Sequence, residues 1–107
     1  MFTRVVEVRL SKDKVSQFSS VLNEKVLPLL REQPGFVDEI TLISNTEPER
    51  VMAISFWQSE ADAQRYNEQQ YPRVREMINA LSDSSMKVQT YNVENSTAHQ
   101  IARGKAA

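Results

Sequence analysis

Apolar positions follow two rhythms along this chain. From Phe2 to Leu10, Val6, Val8 and Leu10 share one parity and Val5, Glu7 and Arg9 the other, which is the period of a strand. After Ser11, an N-cap residue for a helix beginning at Lys12, the period lengthens. Val15, Phe18, Leu22, Val26 and Leu29 recur every three or four residues and mark one buried helix stripe. Pro28 removes a backbone donor within that run and predicts a kink or a tightened turn near Glu24–Leu27. Gln33-Pro34-Gly35-Phe36 ends the helix and turns the chain. A second strand runs from Phe36 to about Ser44. Turn chemistry fills Asn45 to Glu49, and Arg50 opens a third strand that ends at Trp57, so the two strands form an antiparallel hairpin.

Ser59 caps a second helix with Glu60, Asp62 and two alanines in its opening turn, running to about Gln69. Pro72 biases Tyr71 away from helical geometry and suits the first position of a restarted helix. That segment carries Val74, Met77, Ile78 and Leu81 on one stripe and ends in Ser82-Asp83-Ser84-Ser85; a last strand spans Met86 to Glu94. The order β-α-β-β-α-β is that of a ferredoxin-like α+β fold: a four-stranded antiparallel sheet with both helices on one face. Residues 1–94 form this domain, and residues 95–107 form a small, polar C-terminal tail.

The strands are apolar on both parities. Ile40 and Leu42 oppose Val37 and Ile43, while Met52, Ile54 and Phe56 oppose Val51 and Trp57. Helices cover one face of such a sheet, and a second apolar face left in water is a patch that soluble monomers avoid. Packing two sheets face to face about a twofold axis resolves this, so the pattern predicts a homodimer.

Composition removes several chemistries. A chain of 107 residues with 40% hydrophobic and 25% charged residues is of single-domain size and globular in character. A net charge of −1 offers no basic face for nucleic acid or an anionic membrane. There is no cysteine, which excludes thiolate nucleophiles and cysteine metal sites. Two glycines, Gly35 and Gly104, cannot build a Walker loop or a dinucleotide fingerprint. The single histidine, His99, lies in the tail, so no metal and no cofactor is expected. The charged, alternating N-terminus and the lack of a membrane-length apolar run predict a cytoplasmic protein.

Glu7-Val8-Arg9-Leu10, the helix leading to Pro34-Gly35-Phe36, and Trp57-Gln58-Ser59-Glu60 before an alanine-rich helix resemble the antibiotic-biosynthesis monooxygenase family. The resemblance spans roughly residues 2 to 94 and implies a dimeric α+β barrel. The family's haem-degrading branch carries Asn, Trp and His where this chain has Val8, Tyr66 and Glu76, so haem degradation is not expected. Another branch works without metal or flavin: a phenol is deprotonated, its carbanion reacts with oxygen, and the protein supplies a cavity and a few polar groups. What the resemblance implies is a cofactor-independent monooxygenase of a polycyclic phenol or quinol; the alternative is a non-enzymatic ligand-binding or stress-response barrel.

Under the enzymatic reading Tyr66 and Tyr71 are the catalytic candidates, through their hydroxyls. Each is a hydrogen-bond donor unless its pKa, ordinarily about 10, is strongly perturbed. On a continuous helix they diverge by about 140°, so either the break before Pro72 brings them together or Tyr71 is exposed. Trp57, Arg9, Asn67 and Tyr91 are the substrate-binding candidates, for a small aromatic ligand. Each has a plain structural counterpart. Trp57 caps the core at a strand end, Arg9 pairs with Glu7 or Glu39 of a partner chain, and Asn67 faces solvent.

Overall fold

A computed structural model describes residues 1–97. Four strands, β1 (Phe2–Arg9), β2 (Phe36–Ile43), β3 (Arg50–Trp57) and β4 (Lys87–Asn92), form one antiparallel sheet in the order β2-β3-β1-β4. The predicted ferredoxin-like α+β arrangement is thus the observed one. No helix among the described residues is long and apolar enough to cross a membrane.

Register assigns each parity to a face. Phe2, Arg4, Val6 and Val8 of β1 stand opposite Trp57, Ser55, Ala53 and Val51 of β3, and these residues face the helices. The other face carries Val5, Met52, Ile54, Phe56, Ile40 and Leu42. β1 ends at Arg9, one residue before the predicted end; Leu10, fully buried, makes an isolated bridge to Ser82. A bulge between Phe36 and Asp38 sets the register of β2, leaving Val37 without a partner on β3.

The first helix, α1, occupies residues 12–31 and is not uniform. It opens as a 3-10 turn at Lys12–Lys14, is α-helical over Val15–Val21, widens to a π-helix over Leu22–Val26, and closes as α-helix over Leu27–Arg31. Ser11 makes no side-chain cap bond; its carbonyl accepts from Lys14 at 2.9 Å. The disturbance expected from Pro28 is present but runs the other way, a widening and not a tightening. Pro28 has no N–H to give the carbonyl of Glu24, and its ring crowds that carbonyl. The turn expands instead, and the N–H of Leu27 reaches back five residues to Leu22. The change of pitch puts Phe18, Leu22, Val26 and Leu30 in line, so Leu30, not Leu29, is the buried residue.

Ser59 caps the second helix, α2 (Glu60–Gln69), by accepting the N–H of Asp62 at 3.2 Å. The third, α3 (Tyr71–Asn79), starts at Tyr71, one residue ahead of the predicted Pro72. Between them Gln70 takes non-helical angles, φ −123° and ψ −33°. All helices lie on one face, and the core gathers Val8, Leu10, Phe18, Val26, Leu30, Trp57, Ala63, Tyr66, Val74 and Ile78 between them and the sheet.

Candidate functional site

The helix-facing row at Arg4 departs from the apolar rule. Arg4 pairs with Ser55 on β3, and Ser55 pairs with Glu39 on β2, so a cation, a hydroxyl and a carboxylate lie side by side across three strands. Arg4 is only 3% exposed. One terminal nitrogen donates to Asn67 Oδ1 at 2.9 Å, and the guanidinium carbon sits 4.4 Å from the Tyr71 ring centre and 5.2 Å from that of Tyr66. Two aromatic faces and an amide thus replace the water that this cation lost. Burial lowers its pKa, the two tyrosines oppose that, and a guanidinium stays charged at neutral pH regardless.

The break at Gln70 decides where the tyrosines point. It brings the Tyr66 and Tyr71 rings to 6.1 Å, tilted by 54°, although a continuous helix would set them apart. Burial pushes the Tyr66 hydroxyl up to about 12 against the pull of Arg4, and raises that of Tyr71 against Arg4 and Arg75. Both are therefore protonated at neutral pH, which makes them donors and removes them as bases. The Tyr71 hydroxyl oxygen is buried and has no hydrogen-bond partner among the described residues. Buried polar groups are seldom left unpaired, because each costs about 1–3 kcal/mol.

Glu39 is half-buried, and burial raises its pKa; a hydrogen bond from the Thr41 hydroxyl, 2.7 Å to Oε2, opposes the rise. Arg4, Glu39, Tyr66 and Tyr71 together form the polar side of a cavity of about 60 Å³ whose remaining wall is apolar, with Phe18, Leu22, Val26 and Leu30 of α1 and Val74 and Ile78 of α3. An apolar pocket with a few convergent polar groups is the usual form of a ligand site. Among the described residues no group of three or more acidic or histidine side chains is placed to hold a metal ion.

The sequence candidates are distributed unevenly around this cavity. Tyr66, Tyr71 and Asn67 come together at it, Asn67 by orienting Arg4. Trp57 does not line it: the residue is fully buried, stacks on Tyr66 at 4.9 Å and meets Phe36 edge-on at 5.6 Å, with its N–H donated to Ser55 Oγ. Its role here is to support the Tyr66 ring. Arg9 stands on the opposite face of the sheet, 3.5 Å from Glu47 and 3.8 Å from Glu49, beside an open groove of about 360 Å³. Odd-numbered β1 residues point away from the helices, so Arg9 cannot reach the cavity. Tyr91 pairs with Thr3 on that same outer face, is 51% exposed, and donates its hydroxyl to Gln89.

Arg4 and Glu39 were missed. Arg4 shares the parity of Val6, Val8 and Leu10, and a charge on a buried parity is a visible signal. Glu39 lies in a strand that is apolar on both parities, where alternation marks neither side as the inside. Only register identifies it.

A family model described as antibiotic biosynthesis monooxygenase matches residues 1–76. No curated protein matches the chain in sequence. Among solved structures, SnoaB, a cofactor-independent oxygenase from Streptomyces nogalater, superposes with a TM-score of 0.79 at 19% identity, covering 92% of this chain and 97% of that one. A monooxygenase from the gene ActVA-Orf6 of Streptomyces coelicolor, in complex with the ligand nanaomycin D, gives 0.75 at 18% identity, covering 90% and 89%. Protein SO0527 from Shewanella oneidensis gives 0.70 at 18% identity, covering 84% and 87%. At these identities the likeness is one of fold.

Proposed function

The chain belongs to the antibiotic biosynthesis monooxygenase family, and from that premise we propose that it oxygenates a phenol or quinol without metal or flavin. The observation that carries this reading is the buried, unpartnered Tyr71 hydroxyl beside the Arg4 guanidinium. A donor and a fixed cation aimed at one spot are what a developing phenolate or enolate needs. Ionised, such a substrate pushes charge onto a ring carbon, which can attack dioxygen. For a ring methylene the overall change is CH2 plus O2 giving C=O plus water: the carbon loses four electrons and dioxygen takes them. The protein's part is to hold the anion and exclude bulk water.

Cavity size bears on the substrate. A dry cavity of about 150 Å³ accommodates benzene, whereas this one measures about 60 Å³. Single-ring quinols therefore fit with the smaller adjustment, and polycyclic ones require the α1 wall at Leu22 and Val26 to move outward. The small volume also favours a second reading, a barrel that binds a small aromatic ligand without turnover.

The outer face of the sheet completes the proposal. Ile40 and Leu42 are 41% and 48% exposed and continue into Ile54, Met52, Phe56 and Val5. A second copy packed on it, sheet to sheet, gives the homodimer.

An oxygen electrode with hydroquinone, naphthohydroquinone and anthrone tests the enzymatic reading. Oxygen uptake should exceed the protein-free rate and fall in Tyr71→Phe. Binding without any added uptake would leave the binding-protein reading standing.

A further inference from the structure

Four titratable groups line the cavity: Arg4, Glu39, Tyr66 and Tyr71. Three of them hold their protons at neutral pH, so the phenol proton has one destination within the wall. We propose that Glu39 is the general base of the site, its free oxygen Oε1 taking the hydroxyl proton while Arg4 and Tyr71 hold the phenolate left behind. The proposal rests on the phenol-oxygenating reading and assigns it a catalytic residue.

Three features of the geometry support it. Glu39 and Arg4 occupy the same cross-strand row with Ser55 between them, two strand spacings apart, about 9–10 Å between backbones. They form no ion pair among the described residues, because the guanidinium is turned to Asn67 and the tyrosine rings. A carboxylate and a cation that share a cavity wall without touching leave room for a hydroxyl between them. The Thr41 bond engages Oε2 alone and fixes the carboxyl, leaving Oε1 without a hydrogen bond among the described residues. The only side chains that α1 contributes to this cavity are apolar: Phe18, Leu22, Val26 and Leu30.

The charge balance favours the transfer. Before it the site holds Arg4⁺, Glu39⁻ and a neutral phenol; after it, Arg4⁺, a neutral carboxylic acid and a phenolate. The O–H bond of the phenol breaks, its electron pair stays on oxygen, and the proton forms a bond to Oε1. Net charge is unchanged, so the buried cation keeps one counter-charge throughout. The neighbours of Glu39 act in the same sense. Burial and the adjacent Asp38 carboxylate raise its proton affinity, while Arg4 and the Tyr71 hydroxyl lower that of the phenol. The remaining facing groups, Ser55 and Tyr66, are neutral.

Binding of 4-cyanophenol, which oxygen does not oxidise and whose ionisation is visible in the ultraviolet, tests this independently of turnover. The whole protein should bind it with a phenolate spectrum and no net proton released, as counted by calorimetry in buffers of different ionisation heat. Failure to bind, a neutral-phenol spectrum, or a phenolate spectrum with one proton released would each overturn the assignment. If hydroquinones are turned over, Glu39→Gln should lower kcat roughly 100-fold or more, leave KM within a few-fold and erase the acid limb of the pH profile. Glu39→Asp should restore that limb at reduced rate. A Glu39→Gln variant that keeps both kcat and the acid limb would also overturn it. Absence of any oxygen uptake, with the binding result intact, would remove the oxygenase reading and leave Glu39 as the proton acceptor.

Discussion

Tyr71 places a hydroxyl in the core with no hydrogen-bond partner among the described residues, and that isolation makes a sharp prediction. Removing an unsatisfied buried group costs the fold little or nothing. Tyr71→Phe should therefore unfold at the same urea concentration as the parent or a higher one. If the hydroxyl donates to a bound phenolate, the same variant should weaken phenol binding by roughly 10- to 150-fold, from the ~1.5–3 kcal/mol of a hydrogen bond to a charged group. Loss of stability with unchanged affinity would sink the assignment. Tyr66 gives a complementary test through pH. Its folded pKa, about 12, lies above the unfolded value of 10.0. The stabilisation it confers is full below pH 10 and is lost as pH rises from there toward 12. The loss amounts to about 2–3 kcal/mol, and alkaline melting curves should show it in the parent and lack it in Tyr66→Phe. Glu39 has the opposite sign. Its raised folded pKa means that the charged form destabilises the fold, so Glu39→Gln should melt higher than the parent at neutral pH, with the advantage fading in acid.

At the scale of elements, the joint between α1 and β2 depends on one residue without a side chain. Gly35 takes φ +80°, and a Cβ there would meet the Asp62 carboxyl. Asp62 cannot easily withdraw: its N–H and Oδ2 are bonded to the Ser59 cap, and Oδ1 is 3.0 Å from Arg65. The Gly35 carbonyl in turn accepts from Gln58 at 2.8 Å. Gly35→Ala should cost about 1–2 kcal/mol from the left-handed backbone alone and more from the displaced cap, measurable by urea denaturation. A neutral result would mean that the joint rearranges freely.

For the molecule as a whole, the outer sheet face decides the assembly. Ile54 lies at its centre, between Val5 on β1 and Ile40 on β2. Light scattering at micromolar concentration should give the mass of two chains for the parent and of one for Ile54→Lys, with the fold retained in far-ultraviolet circular dichroism. A monomeric parent would refute the dimer. A charge in mid-sheet on this face does not touch the cavity, so phenol binding should survive if the second copy contributes nothing to the site.

Element order, strand parity and the helix stripes were legible in the sequence, because they depend on local periodicity and on Pro and Gly at the punctuation points. The Trp57-Gln58-Ser59-Glu60 turn was legible for the same reason: a serine cap followed by acidic residues announces a helix whatever surrounds it. The candidate site was legible only in halves. Tyr66, Tyr71 and Asn67 could be named, yet their convergence depended on the angles at Gln70, and Trp57 proved to back the Tyr66 ring. Arg4 was marked by its parity and overlooked. Glu39 carried no mark, since its place beside Ser55 and Arg4 arises from a bulge and a register that join residues 35 and 51 positions apart in the chain. The direction in which α1 yielded to Pro28 was likewise settled by packing, which aligned Phe18, Leu22, Val26 and Leu30 over the cavity. Local chemistry fixes which elements form; only their packing sets a buried cation, a carboxylate and an unpaired hydroxyl around one small space.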